Sequence, residues 1–205
     1  MHTTGGTTMR NHSVAIVAVV SMFGVAAAHA QGGSPVPDGP FARCARAALA
    51  TKSGEALAVE AVTVVSTSEP AAPAAGSRLL EFTIRGKDGA QWEVTCNEAT
   101  SAIAEVEEEV ANVSEQRFHA GAKVSEDSAR AIALHVYPGK IVDVNYELEA
   151  KDRPSYEFDI MQAGAPVGEQ MKVEVDAQSG HVSEVRRERA QVGRTGRDST
   201  SPPRS

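Results

Sequence analysis

The chain has 205 residues, 41% of them hydrophobic, and carries 27 acidic against 20 basic side chains for a formal net charge of −7. The charge is divided: residues 31–185 hold 25 acidic and 13 basic residues (net −12), whereas residues 186–205 hold six arginines against Glu188 and Asp198 (net +4). An acidic body of this kind argues against nucleic acid and against anionic membrane surfaces as partners.

The N-terminus reads as a secretory signal over residues 1–30. Arg10 and His12 precede an apolar run from Val14 to Ala28, and Ala28-His29-Ala30 has the small-x-small pattern of a cleavage site, placing the cut between Ala30 and Gln31. The run is about 15 residues, short of the roughly 20 that a spanning helix needs; a retained anchor is the competing reading. Met9, just before the basic residue, is an alternative start. No cysteine follows the run, which disfavours a lipid anchor, and no later segment is apolar enough to cross a membrane. The mature chain is therefore expected in the periplasm or outside the cell, with no membrane contact after signal cleavage.

Residues 31–40 are rich in Gly, Pro and Ser and read as a linker. Residues 41–113 form a first unit. It holds both cysteines of the chain, Cys44 and Cys96. An even count in an exported chain favours a disulfide between them over two buried free thiols. Within this unit, residues 99–113 leave two readings open. Ala and Glu favour helix there, and Ile103, Val106, Val110 and Val113 fit helical spacing. A closing strand over Ile103 to Val106 is the preferred alternative, because it fits an internal repeat.

Residues 114–190 form the second unit. Ser125 is a plausible N-cap for a helix running to His135, with Glu126 and Asp127 in its first turn. Ala129, Ile132, Ala133 and Val136 would form its apolar face, and Tyr137-Pro138-Gly139 ends it. Three period-two segments follow: Val142, Val144, Tyr146 and Leu148; Tyr156, Phe158 and Ile160; Met171, Val173 and Val175. Asp176-Ala177-Gln178-Ser179-Gly180 reads as a turn. The helix is the natural cover for the apolar face of the sheet. Residues 191–205 are polar and are expected to be a disordered basic tail.

The two units share words in order. Cys44 to Ala50 parallels Ser128 to Leu134. Glu81-Phe82-Thr83-Ile84 parallels Glu157-Phe158-Asp159-Ile160. Trp92 to Asn97 parallels Met171 to Asp176, and Ile103 to Val106 parallels Val182 to Val185. The first unit carries an extra excursion over residues 68–76, and the second a longer turn around Gly164, Pro166 and Gly168. The expected fold class is α+β: two tandem units, each one helix packed on a curved antiparallel sheet.

The landmarks "SEDSARAIAL", "PG", "YEFDI" and "VEVDAQSG", in that order over residues 124–185, resemble the PepSY domain family, found in propeptides of bacterial metallopeptidases and in many small secreted proteins. Pro138, Gly139, Tyr156, Asp176 and Gly180 are landmark positions with structural readings. Residues 41–110 resemble a degenerate copy, lacking Pro-Gly after the helix and the turn glycine. The resemblance implies a protein partner, with a peptidase as the candidate, that the domain binds or inhibits.

No catalytic constellation is legible. His119, His135 and His181 lie in no H-x-x-H or HExxH arrangement, there is no G-x-S-x-G elbow, and the cysteines form no C-x-x-C pair. The run Glu105, Glu107, Glu108 and Glu109 offers oxygens to a divalent cation, but such runs are commonly solvated faces, and that is the reading preferred. No catalytic, metal or cofactor residues are therefore assigned, and no enzyme activity is expected. The function expected is that of a protein-binding module. A periplasmic small-ligand or envelope-signal sensor is the alternative.

Overall fold

Alternation with period two runs through nearly every strand of the body, and it decides the architecture. The computed structural model describes residues 38–194; the signal segment with Ala30 and Gln31, and the tail from residue 195, lie outside the described residues. The elements in order are α1 (Pro40–Thr51), β1 (Gly54–Thr67), β2 (Arg78–Gly86), β3 (Gln91–Asn97), β4 (Ile103–Val110), α2 (Gln116–Gly121), α3 (Glu126–Val136), β5 (Lys140–Glu149), a 3-10 turn, β6 (Arg153–Met161), β7 (Gln170–Asp176) and β8 (Val182–Arg194). Each strand pairs antiparallel with the next, and β8 returns to pair with β1, closing an eight-stranded barrel. The mixed α and β content is as the sequence implies. The arrangement expected, a separate sheet for each unit, is replaced by one continuous sheet.

The outer face is apolar where helices cover it. Leu80, Phe82, Ile84, Val94 and Cys96 cluster with Cys44 and Ala48 of α1. Phe158, Ile160, Met171, Val173 and Val175 cluster with Phe118 of α2 and with Ala129 and Ala133 of α3. Each fully buried Phe or Ile is worth roughly 1.5–3 kcal/mol, so these clusters fix which way every strand faces. A slip of one residue would turn the apolar row inward.

Helix α1 starts with Pro40 in the first turn, where the missing N–H costs nothing. Cys44 and Ala48, one turn apart, are its buried residues, and a disulfide joins Cys44 to Cys96 on β3. Ser125 caps α3, its hydroxyl accepting from the Ser128 amide. Ala129 and Ala133 are its buried residues, but Val136, expected on the same face, is 42% exposed. The buried pairs of the two helices are thus offset by 85 residues. The sequence alignment of the helices, which set Cys44 against Ser128, is out by one.

The short helix α2 was not legible in the sequence. Glu115 caps it by accepting from the Arg117 and Phe118 amides. Phe118 then packs edge-on against Tyr146 and Tyr156, with ring centroids 5.8 and 5.2 Å away.

The strand registers repeat between the halves. Phe82 faces Val94 and Val94 faces Val106; Phe158 faces Val173 and Val173 faces Val185. The strand preferred over Ile103 to Val106 is present and runs on to Val110. Strand β8 continues to Arg194, past the boundary drawn at Gln191, because β1 supplies a partner as far as Arg194. A bulge between Ile141 and Asp143 shifts the phase of β5 and leaves Val142 37% exposed instead of on the apolar face.

Candidate functional site

The inner face of the barrel is charged. On β2, Glu81 lies between Leu80 and Phe82 and faces the other way; the same holds for Glu93 and Thr95 on β3, Glu157 and Asp159 on β6, Lys172 and Glu174 on β7, and Glu184 and Arg186 on β8. Eight buried carboxylates (Glu81, Glu107, Glu147, Glu157, Asp159, Glu174, Glu184 and Glu188) share this space with two buried cations, Lys172 and Arg186. Apolar outside and polar inside is the polarity of a membrane barrel, yet here α1, α2 and α3 lie on the apolar exterior. No described helix is long and apolar enough to cross a membrane.

The two cations span the lumen. Lys172 Nζ lies 3.0 Å from Glu81 and 3.0 Å from Glu157, 3.3 Å from Glu60 and 3.9 Å from Glu93. Arg186 reaches Glu81 at 2.8 Å, Glu184 at 3.0 Å and Glu93 at 3.5 Å, and also binds Glu105. These contacts link β1, β2, β3, β4, β6, β7 and β8 through two side chains. Burial works against the charge on Lys172, but Glu157, Glu81, Glu93 and Asp159 hold its ammonium well above the ordinary lysine range. Burial likewise pushes Glu81 up, and Lys172 and Arg186 together bring it below its usual value. Glu93 is pushed well up by burial and by Glu81.

Two mouths open into the lumen. The first, a cavity of about 600 Å³, is lined by Glu60, Arg85, Gln91, Glu93, Val142, Asn145, Asp159, Gln170, Lys172 and Glu188 among others. The second, about 480 Å³, is lined by Thr95, Glu105, Glu107, Glu149, Arg153, Glu184 and Arg186, with Glu69 and Pro73 from the excursion after β1. Arg153 ties that excursion down through Glu69 at 3.4 Å. The extra segment of the first half is thus part of the rim.

The acidic run on β4 is resolved by its strand geometry. Glu105 and Glu107 line the second mouth and Glu109 the first, while Glu108 points outward to Arg117 at 2.5 Å. The expectation of a solvated face is corrected: alternate members of the run are lumen groups. Arg186, grouped with the basic tail on sequence, is also a lumen residue.

The landmark positions have local roles. Pro138 follows the C-cap Tyr137. At Gly139 a Cβ would lie 2.6 Å from the Met161 carbonyl oxygen and 2.7 Å from Ile160 Cγ2, so only glycine lets the chain enter β5 this close to β6. The buried Tyr156 hydroxyl donates to the Val124 carbonyl at 2.9 Å, pinning the lead-in to α3 against the sheet. Asp176 accepts from the Gln178 and Ser179 amides at 3.0 and 2.7 Å, and Gly180 sits at φ +75°. These residues build the frame; none of them lines either mouth. His119, His135 and His181 stand on α2, on α3 and before β8, and they are not brought together. Trp92 packs against the first apolar cluster.

Lumen titration predicts how stability varies with pH. Burial, with the Glu60 charge beside it, pushes Glu188 up to about 7 from 4.5, and burial with Glu157, Glu60 and Glu188 pushes Asp159 well above its usual value. Between pH 4.5 and 7 the unfolded chain gives up protons that the barrel keeps, so rising pH costs stability. Glu81, shifted down, acts oppositely, and its contribution is lost only below about pH 4.5. The melting temperature is therefore expected to be higher near pH 5.5 than near pH 8; scanning calorimetry across this range checks it, and a flat or rising profile would contradict the assignment.

The sequence model of one family, described as peptidase propeptide and YPEB domain (PepSY), matches residues 123–186, the stretch from the end of α2 through the first part of β8. No curated protein and no solved structure gives a match.

Proposed function

We propose that this chain, with its PepSY domain over residues 123–186, is an exported, non-catalytic binding module whose partner is a peptidase. The observation that carries the reading is the family match, since the family is one of peptidase propeptides. The signal segment and the disulfide agree with an oxidising, extracytoplasmic setting.

A feature of the barrel supports a docking route. Strands β4 and β5 exchange only three residue pairs, Glu108 with Leu148, Glu109 with Glu147 and Val110 with Tyr146. They overlap only at their ends, so Lys140 to Asn145 of β5 runs on past β4. Extended chain from a partner can add there. Val142 and, across the β5–β6 pairing, Met161 offer exposed apolar side chains beside it, 37% and 49% exposed.

The mature protein is expected to enrich an envelope peptidase from periplasmic extract and to slow that enzyme's cleavage of a casein substrate. Val142→Asp should weaken the inhibition about tenfold, the cost of roughly 1.4 kcal/mol at one apolar contact. Absence of both capture and inhibition would end the reading.

The alternative, a small-ligand or envelope-signal sensor, gains from the barrel. The first mouth has the size of a ligand pocket. Its lining is strongly polar, so the ligand would be a polar one. A small molecule that raises the melting temperature would favour this reading.

The repeated registers support descent of both halves from one duplicated unit. The cross-strand pair Lys172 and Arg186 corresponds, at the 79-residue offset, to the pair Glu93 and Glu107. The two halves thus carry opposite charge at matching places.

A further inference from the structure

Three lumen carboxylates, Glu105 and Glu107 on β4 and Glu174 on β7, each place an oxygen within 4.8 Å of the others. That spacing is about twice the 2.3–2.6 Å bond that calcium makes to oxygen, so all three can sit on one coordination sphere. A group of acids alone would carry little. Here two further observations converge on the same space. Thr95 is 1% exposed and its hydroxyl has no hydrogen-bond partner. It faces Glu105 across the β3–β4 pairing and lines the same mouth, while its neighbours Val94 and Cys96 pack outside. Glu107, 2% exposed, has Oε1 without any partner.

The charges nearby sharpen the point. Arg186 serves Glu105, and no ion pair with a cationic side chain is formed by Glu107 or Glu174 among the described residues. Hard anionic oxygens in a shielded cavity, with a neutral hydroxyl beside them and a mouth wide enough for water, are the donor set of a calcium-type ion. Such an ion would relieve the repulsion among these acids, of which Arg186 pairs with Glu105 alone.

We propose that the second mouth of the barrel binds one divalent cation of calcium size through Glu105, Glu107 and Glu174, with Thr95 and water completing the shell. This goes beyond the peptidase-binding reading and does not depend on it.

The test uses the mature protein, stripped with EDTA and titrated with calcium chloride, followed by isothermal titration calorimetry and thermal unfolding. One saturable site is expected, with a rise of roughly 5 °C or more in the unfolding midpoint once calcium exceeds its dissociation constant about 100-fold. Glu107→Gln should lower the affinity at least tenfold. That variant removes an unpaired buried carboxylate, so it should fold at least as well as the parent in EDTA. Glu188→Gln, at the other mouth, should bind calcium as the parent does. Three results would overturn the proposal: no saturable heat or shift up to about 10 mM calcium, beyond the weak extracellular range; unchanged binding in Glu107→Gln; or a magnesium effect equal to that of calcium.

Discussion

Replacing Lys172 with methionine is expected to destabilise the barrel by about 3–5 kcal/mol at pH 8, the cost of removing one partner from a buried ion pair, and by much less near pH 5. Methionine has nearly the volume of lysine, so the packing is kept while Glu81, Glu157, Glu60 and Glu93 lose the ammonium they surround. The sign follows from linkage. Without the ammonium, Glu81 and Glu93 resist ionisation in the folded state more strongly. The unfolded chain, whose glutamates ionise near 4.5, then gains on the folded one as pH rises through that value. Below it both states hold their protons and the penalty fades. Urea unfolding at the two pH values measures this. Adding Glu157→Gln to the methionine variant should recover part of the loss at pH 8, because Glu157 forms no ion pair except with Lys172 among the described residues, whereas Glu81 keeps Arg186. An equal loss at pH 5 and pH 8, with no recovery in the double variant, would mean that Lys172 acts through shape and not charge.

Removing the disulfide with Cys44→Ser and Cys96→Ser together is expected to cost about 4 kcal/mol, from a loop closed over 52 residues. For a domain of this size that is a fall of roughly 8–16 °C in melting temperature. The bridge matters more here than loop entropy alone conveys. Helix α1 buries only Cys44 and Ala48, two small side chains, so little apolar area holds it on the barrel. The covalent link supplies what a leucine face would supply elsewhere. Hydrogen exchange should show the amides of α1 losing protection in the double serine variant before those of β6 and β7. Uniform loss across the chain would mean that the helix and barrel unfold as one unit with or without the bridge.

The sequence made the strands of the second half legible because Tyr156, Phe158, Ile160, Met171, Val173 and Val175 are large, β-favouring and spaced by two. The capped helix at Ser125 was legible for the same kind of reason. Closure was not. The pairing of β1 with β8 joins residues more than a hundred positions apart, and an edge strand carries no local mark of what will pair with it. The lumen was missed through an ambiguity of the same alternation. A polar residue between two apolar ones faces away from the apolar core, but that direction leads equally to bulk water or to a barrel interior. The run Glu105, Glu107, Glu108 and Glu109 reads as solvated for a further reason, since runs of like charge commonly are. The signal that separates the cases is there in hindsight: Lys172 and Arg186 stand at inward positions among acids on every neighbouring strand, which scattered surface charge has no reason to do. Helix α2 is too short to show periodicity, and its cap Glu115 is not among the commonest N-cap residues.

The pairing that closes the ring also bears on how such a chain could arise. A lone helix with four strands would have two bare edges and one charged wall, and it could complete itself only against a twin. In a symmetric twin assembly, lysine would meet lysine, or glutamate glutamate, at positions equivalent to Lys172 and Glu93. Joining the twins in one reading frame frees each wall to mutate alone and replaces a concentration-dependent encounter with a tethered one. The 3.9 Å approach of Lys172 to Glu93 sets unlike charges at two matching positions, which a symmetric pair of identical chains could not do.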